Sequence, residues 1–188
     1  MSALGGEPFR ILTVCTGNVC RSPAAERLLA EALEPEFSLA SAGTRALVDH
    51  AIAPPMRRLL EATASDRPGF RARQLNEKVI GRADLVLGLT RAHRGDVVEM
   101  WPKAVRHTFT LKEFARLLAD VDLSLLPSGD PVGRMRAAIP LAAAQRHQVR
   151  SAAIDDVIDP YRQSDETYLQ SFNDISLAVD TIIRIVKP

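Results

Sequence analysis

The chain has 188 residues, and its hydrophobic content of 46% is enough for one sizeable core. Its 24 basic and 23 acidic residues leave a formal net charge of +1, so the charge balance favours neither nucleic acid nor an anionic membrane as a partner. Residues 1–8 lack a signal pattern, and no later segment approaches the roughly 20 apolar residues of a membrane helix. We expect a cytoplasmic protein with a single domain over residues 1–188, in which residues 1–8 are a flexible N-terminus.

The first element is a short, mostly apolar run over residues 9–14, which predicts a buried parallel strand. A turn that contains glycine follows, and from Ser22 the apolar residues recur at helical spacing. Ser22 fits the N-cap of this helix and Pro23 fits its first position. The start of the chain therefore predicts a strand, a tight loop and a helix.

Strands and helices continue to alternate along the chain. We predict strands over residues 37–42, 84–89 and 106–110, and helices over residues 55–64, 91–100, 111–119 and 166–186. The last helix has an apolar stripe that is expected to be core, made of Leu169, Phe172, Ile175, Val179, Ile182, Ile183 and Val186. This alternation predicts an α/β three-layer sandwich, with helices on both faces of a four-stranded parallel sheet.

The loop after the first strand is the candidate site. Cys15 lies at the carboxyl end of that strand, where open α/β sheets bind their ligands. The loop amides can surround a tetrahedral anion, and the next helix adds partial positive charge. Gly17 is expected to permit the backbone conformation of the loop. The predicted phosphate-binding residues are Thr16, Gly17, Asn18, Val19, Cys20, Arg21 and Ser22.

The side chains of Cys15 and Arg21 indicate that this loop carries out chemistry at phosphorus, and Asn18 and Ser22 have supporting roles. Arg21 offers a planar guanidinium that can hold two phosphoryl oxygens at once. These positive surroundings favour the thiolate form of Cys15, which is the nucleophilic form. Asn18 can hold a strained turn by hydrogen-bonding to backbone. Ser22 has a second role besides capping, as a hydrogen-bond partner of the Cys15 sulfur, and the sequence does not choose between the two.

Other interpretations of the cysteines are open. A cysteine at a strand end is often a small buried apolar residue, and Cys-x5-Arg alone occurs by chance. A zinc site on Cys15 and Cys20 would lack a second pair of ligands, because the four histidines are scattered along the chain. We therefore predict no metal.

The loop Cys15-Thr-Gly-Asn-Val-Cys-Arg-Ser-Pro23 resembles the signature of the low-molecular-weight protein tyrosine phosphatases. Further resemblances to that family are Ser41-Ala-Gly-Thr44 in the second strand, Ala72-Arg-Gln-Leu75 and Ala83-Asp-Leu-Val86 in the middle, and Asp159-Pro160-Tyr161 in the general-acid loop. They occur in the family's order from Phe9 to the last helix.

The resemblance implies a phosphatase that hydrolyses phosphomonoesters, above all phosphotyrosine in proteins, without a metal or cofactor. Cys15 would attack phosphorus, Arg21 would stabilise the equatorial oxygens, and Asp159 would protonate the leaving oxygen. Asp159 is chosen over Asp155 and Asp156 only by this resemblance. The implied partner is a phosphorylated protein or a small phosphomonoester, and we expect a monomer or a weak dimer.

Two departures from the family pattern bear on specificity. Leu47 stands where many relatives have an aromatic residue, so the predicted substrate pocket consists of Val19, Leu47 and Tyr161. Residues 123–150 look like an insertion before the general-acid loop, which indicates an element at the rim of the site. Its arginines would favour acidic substrates there, although exposed, solvated positions are the commoner meaning of such charges: Arg134, Arg136, Arg146 and Arg150.

Cys20 and the function of the loop each have alternatives. Cys20 would form a reversible disulfide with Cys15 under peroxide, or it would be a small buried residue. An arsenate reductase that uses an external thiol is a second function, because arsenate is also a tetrahedral oxyanion and no cysteine after Cys20 could complete an internal disulfide relay. A third is a phosphocysteine carrier or phosphate-binding module, which the presence of Arg21 and Asp159 disfavours.

Overall fold

The structure, a computed structural model, describes residues 7–147 and 152–188. Most of the predicted flexible N-terminus, residues 1–6, and Arg150 lie outside the described residues. The strands are β1 (Phe9–Cys15), β2 (Phe37–Gly43), β3 (Leu85–Gly88) and β4 (Thr108–Thr110). The α-helices within the described ranges are α1 (Arg21–Leu33), α2 (Pro54–Ala62), α3 (Glu77–Ile80), α4 (Arg91–Met100), α5 (Leu111–Ala119), α6 (Pro131–Ala144) and α7 (Asp165–Val186). Short 3₁₀ turns lie at Pro102–His107, Leu123–Leu125, Gln145–His147 and Ala152–Asp155.

The four strands form one parallel sheet in the order β2-β1-β3-β4. In the register of the sheet, Cys15 pairs with Gly43 of β2, and Val14 pairs with Gly88 of β3. The carboxyl ends of these three strands therefore meet at one edge, and Cys15 lies in the middle of that edge. This sheet confirms the predicted α/β fold.

Side chains of β1 alternate between two hydrophobic cores, because successive residues of a strand point to opposite faces. Phe9, Ile11 and Cys15 face a large core that also contains residues of α1, α2, α5, α6 and α7. Leu12 and Val14 face a smaller core built with α3, α4 and the turn Pro102–His107. Helices thus cover both faces, as the three-layer prediction requires.

Two predicted details of the helices are wrong. α1 begins at Arg21, with Cys20 in the N-cap position and no side-chain cap, so Ser22 does not cap it and Pro23 is not its first residue. In α7, Leu169 is 47% exposed rather than core. Tyr168 takes the inward position instead, and each helical residue is turned by about 100° from the one before it, which carries Leu169 away from the core.

Helix α6 was not predicted, and its arginines do not lie at the rim of the site. Arg134 is 8% exposed and donates to the carbonyls of Ile185 and Pro127. The guanidinium of Arg136 lies 5.1 Å from the ring centroid of Phe9.

Arg146, the remaining described arginine of residues 123–150, also packs away from the sheet edge that carries Cys15. The Arg146 guanidinium lies 4.0 Å from the ring centroid of Phe109 and donates to the carbonyl of Thr108, the first residue of β4. The three described arginines therefore join α6 to the amino ends of β1 and β4 and to the end of α7. They face the edge opposite Cys15, which argues against the alternative that they select acidic substrates; the buried Arg134 also departs from the exposed, solvated position expected of it.

Candidate active site

The loop between β1 and α1 curls around the sulfur of Cys15. The side chain of Cys15 is 2% exposed, and its sulfur accepts from the amide of Asn18 at 3.3 Å. The positive end of α1 lies directly after the loop, since α1 begins at Arg21. Gly43 of β2 permits this packing, because a Cβ there would stand 2.5 Å from the carbonyl oxygen of Thr16. Any larger residue would push the loop away from the sheet.

Asn18, and not Gly17, supplies the unusual backbone conformation of the loop. Asn18 has φ 55°, in the left-handed region that asparagine tolerates better than most residues. Gly17 is not among the residues with positive φ, and a Cβ there would make ordinary van der Waals contacts with Val19 at 3.5 Å and Leu47 at 3.8 Å on the pocket side of the loop. The expectation that Gly17 provides conformational freedom is therefore wrong, and a side chain at this position would fill the pocket instead.

The side chain of Asn18 fixes the direction of the hydrogen bonds behind the sulfur. The amide of Arg73 donates to Asn18 Oδ1 at 2.9 Å, which identifies the oxygen and turns Nδ2 towards two serines. Nδ2 donates to Ser22 Oγ at 2.9 Å and to Ser41 Oγ at 2.8 Å. Each serine therefore accepts from Asn18 and keeps its own hydroxyl proton for another acceptor.

Ser22 has the Cys15 sulfur as its nearest remaining acceptor. The Oγ–Sγ distance is 2.9 Å, whereas the carbonyl of Ala42 lies at 3.5 Å. The proton of the other serine, Ser41, goes to Glu26 at 2.5 Å. A hydroxyl that donates to sulfur stabilises thiolate over thiol. Of the two roles considered for Ser22, the contacts support this one.

Arg21 connects the loop between β1 and α1 with the segment that contains Asp159. Its side chain is 5% exposed, and its Nη2 lies 2.6 Å from Asp159 Oδ2, while Nη1 donates to the carbonyl of Val157 at 3.2 Å. The other oxygen of Asp159 accepts from the amide of Tyr161 at 3.2 Å. The structure thus brings Cys15, Arg21 and Asp159 together at one pocket, although they lie far apart in the sequence.

This pocket has a volume of about 190 Å³. It is lined by Cys15, Thr16, Gly17, Val19, Cys20, Arg21, Arg45, Leu47, Asp159 and Tyr161. The three predicted wall residues are all among them. Asn18 and Ser22 are fully buried behind the loop and do not line the pocket. Arg45, an exposed residue, was missed, because it follows the Ser-Ala-Gly-Thr motif without any signal that it lines the pocket.

His93 is a second residue of the site that the sequence did not reveal. Its ring is 4% exposed, with Nε2 at 2.9 Å from Thr16 Oγ1 and Nδ1 at 2.9 Å from Thr90 Oγ1. Burial, followed by the charge of Arg21, lowers the pKa of His93 to about 4, so the ring is neutral near pH 7. A neutral ring has one donor and one acceptor, which matches its two hydroxyl partners.

Cys20 lines the pocket as a thiol. It is 4% exposed, it forms no disulfide, and its sulfur lies 3.6 Å from the hydroxyl of Tyr168. Burial raises the pKa of Cys20 to about 12, although the bond with Tyr168 opposes this shift. Cys20 is therefore a poor nucleophile in this state. Among the described residues, no group of three or more His, Cys, Asp or Glu side chains could hold a metal ion, and no helix is long and apolar enough to cross a membrane.

Comparisons with known proteins point to one enzyme family. Residues 10–126 match the family model described as low molecular weight phosphotyrosine protein phosphatase. The chain is 37% identical over 131 residues to a protein-arginine-phosphatase from Geobacillus stearothermophilus, which covers 70% of this chain and 86% of the relative. It is 33% identical over 101 residues to the low molecular weight protein-tyrosine-phosphatase Ptp of Acinetobacter johnsonii, which covers 54% of this chain and 70% of the relative.

Solved structures show the same fold. The YwlE arginine phosphatase from G. stearothermophilus superposes with a TM-score of 0.69 at 28% identity, over 94% of this chain and 92% of that one. The tyrosine phosphatase Wzb from Escherichia coli K30, in complex with sulphate, superposes with a TM-score of 0.68 at 26% identity, over 93% and 96% of the two chains. This chain is a phosphatase and belongs to the low molecular weight phosphotyrosine protein phosphatase family.

Proposed function

We propose that this phosphatase hydrolyses phosphotyrosine in proteins through a phosphocysteine on Cys15. The observation that carries the proposal is the pocket in which the Cys15 sulfur, the Arg21 guanidinium and the Asp159 carboxyl group meet. In the first step the thiolate of Cys15 attacks phosphorus, and Asp159 gives its proton to the leaving phenol oxygen. In the second step Asp159 takes a proton from water, which attacks phosphorus and releases phosphate and thiolate.

Arg21 and the loop amides have the stabilising role in both steps. In the ligand-free pocket the Arg21 guanidinium is bound to Asp159 at 2.6 Å. A phosphoryl dianion would compete for the same guanidinium, and it offers more negative charge than one carboxylate. Binding of the substrate would therefore release Asp159 from Arg21, which makes its protonation, and hence its role as acid, easier.

The walls of the pocket favour an aromatic phosphate ester. Val19 is almost fully buried, Leu47 is partly buried, and Tyr161 is 38% exposed at the mouth, so a phenyl ring would meet apolar surface on several sides. Arg45 adds a cation to the lining and would repel a second cation. The guanidinium of phosphoarginine carries such a charge, which disfavours it as the substrate.

Phosphoarginine is nevertheless the second candidate, because the relative from G. stearothermophilus is named a protein-arginine-phosphatase and is 37% identical to this chain. The relatives reported above are all named phosphatases, which favours hydrolysis over arsenate reduction with an external thiol and over a phosphocysteine carrier. The proposed role of residues 123–150 as an insertion, and of the whole chain as one domain, stays a prediction; the family match ends close to this segment, at residue 126.

The discriminating experiment compares two peptides of one sequence, with phosphotyrosine or phosphoarginine at the same position. We expect kcat/KM to be at least about tenfold higher for phosphotyrosine, a difference of roughly 1.4 kcal/mol in transition-state binding. Leu47→Ala should reduce this preference, and Cys15→Ser should abolish turnover of both peptides. A higher kcat/KM for phosphoarginine would reverse the assignment of the substrate.

A further inference from the structure

The first turn of α4 contacts both segments that form the pocket around Cys15: the loop between β1 and α1, and the segment that leads to Asp159. Helix α4 begins at Arg91, and the side chain of Thr90 caps it by accepting from the amide of His93. Thr90 follows Leu89, whose amide donates to the carbonyl of Val14 next to the nucleophile. This turn is thus tied into the sheet, close to the end of β1.

One set of contacts, the His93 arm, joins this turn to the loop between β1 and α1. His93 Nε2 and the hydroxyl of Thr16, the residue after Cys15, lie 2.9 Å apart. His93 Nδ1 lies 2.9 Å from the hydroxyl of Thr90 in its own turn. The ring is 4% exposed, so it is largely shielded from water. Thr16 is therefore linked to the N-cap of α4 through a single buried ring.

A second set of contacts, the Arg91 arm, joins the turn to the segment that precedes Asp159. The carboxylate of Asp156 accepts from the backbone amide of Arg91 at 2.7 Å and from its guanidinium at 3.1 Å. The next residue, Val157, donates its amide to the carbonyl of Leu89 at 2.9 Å. Asp159 follows two residues later, so its distance from the nucleophile depends on these contacts.

We propose that His93 and Arg91 are positioning residues that set the distance between the Cys15 sulfur and the Asp159 carboxyl group. The inference rests on the proposed function, in which these two groups act on opposite sides of one phosphorus atom. Residues two apart in a helix differ by about 3 Å along its axis, so one rigid turn holds both loops. A shift of about 1 Å between reacting groups can cost about a hundredfold in rate.

A second anchor limits the effect of the Arg91 arm. Arg116 of α5 binds Asp155 at 2.9 Å, and Thr110 donates to the carbonyl of Asp155 at 2.9 Å. If the Arg91 contacts alone are lost, the segment that contains Asp159 therefore becomes more mobile but stays attached through Asp155. We expect partial losses, of about tenfold rather than a hundredfold.

The His93 arm is tested with a matched pair of variants. The amide nitrogen of glutamine reaches the place of Nε2, so His93→Gln keeps the contact with Thr16, whereas the shorter His93→Asn keeps only the contact with Thr90. We expect His93→Asn to lower kcat/KM about tenfold for p-nitrophenyl phosphate and phenyl phosphate alike, and to weaken vanadate binding; His93→Gln should stay within about threefold. Thr16→Val combined with His93→Asn should cost no more than either single change.

The Arg91 arm is tested by its dependence on the leaving group. Arg91→Met removes the guanidinium and keeps the backbone amide, whereas Asp156→Ala removes both contacts. We expect Asp156→Ala to lower kcat/KM for phenyl phosphate, a poor leaving group, about tenfold, and Arg91→Met about threefold. For p-nitrophenyl phosphate, which needs little acid assistance, both variants should stay within about twofold. Arg91→Met carries the test if Asp156→Ala does not fold.

The outcomes separate this inference from the proposed function. Wild-type protein that turns over neither ester would overturn the proposed function, and the positioning role with it. Wild-type turnover with equal losses for both esters in the Asp156 and Arg91 variants, or equal activity of His93→Gln and His93→Asn, would overturn the role of α4 alone. The role of α4 would also be overturned if the losses in kcat/KM correlate with the thermal unfolding midpoint of each variant rather than with the contact that the variant lacks.

Discussion

Asn18 offers a direct test of how the loop is held together. Its side chain is fully buried, it makes three hydrogen bonds, and its backbone has φ 55°. Asn18→Ala removes three bonds worth about 1 kcal/mol each and places alanine in a conformation that costs about 1 kcal/mol. We expect urea denaturation to show a loss of about 4 kcal/mol in the free energy of unfolding. Asn18→Gly loses the same bonds without the backbone strain and should be about 1 kcal/mol more stable than Asn18→Ala.

Asn18→Asp separates catalysis from stability. Aspartate keeps an oxygen for the amide of Arg73, but its second oxygen accepts from Ser22 where Asn18 donates. The Ser22 hydroxyl would then turn away from the Cys15 sulfur. A hydrogen bond to a charged group is worth about 1.5–3 kcal/mol, so kcat/KM for an aryl phosphate should fall about 10- to 100-fold. Ser22→Ala, the matched control, should show a similar loss. A loss of less than about threefold in Asn18→Asp would refute the proposed orientation of Ser22.

Three further variants test other parts of the molecule. Asp159→Asn should lower kcat/KM for phenyl phosphate about a hundredfold and for p-nitrophenyl phosphate less than about tenfold, and equal losses would contradict its role as acid. After peroxide, thiol treatment should restore the wild type but not Cys20→Ser; full recovery of the variant would argue against protection of Cys15 by a disulfide. Arg134→Met should lower the free energy of unfolding by about 2–3 kcal/mol in urea with kcat/KM unchanged, since its partners are carbonyls at the far end of the domain. Unchanged stability with altered activity would restore a role in substrate recognition.

Local signals predicted the parts of the fold that depend on local sequence. The run before Cys15 and the apolar spacing after it predicted β1 and most of α1, because strand and helix periods differ clearly. The cap of α1 was misplaced, since Ser22 carries the signature of an N-cap while its hydroxyl is engaged with the Cys15 sulfur. A side chain with two possible partners cannot be assigned without the tertiary structure.

Long-range contacts account for what the sequence did not reveal. His93 lies on a helix whose pattern gives no sign that its ring meets Thr16, 77 residues earlier in the chain. Arg134 looks like a solvated helix residue, yet its guanidinium caps the carbonyl of Ile185 at the end of α7. Both contacts depend on how helices pack, and packing leaves no periodic signal at the position itself.

The central claim is that Cys15 carries the phosphoryl group between the two steps. It is tested most directly by mixing the wild type with p-nitrophenyl phosphate, quenching within the first turnover and identifying the phosphorylated peptide by mass spectrometry. We predict a burst of p-nitrophenol together with a phosphoryl group on Cys15, and neither in Cys15→Ser. Turnover by Cys15→Ser at the wild-type rate, or hydrolysis without a phosphorylated Cys15, would contradict the mechanism.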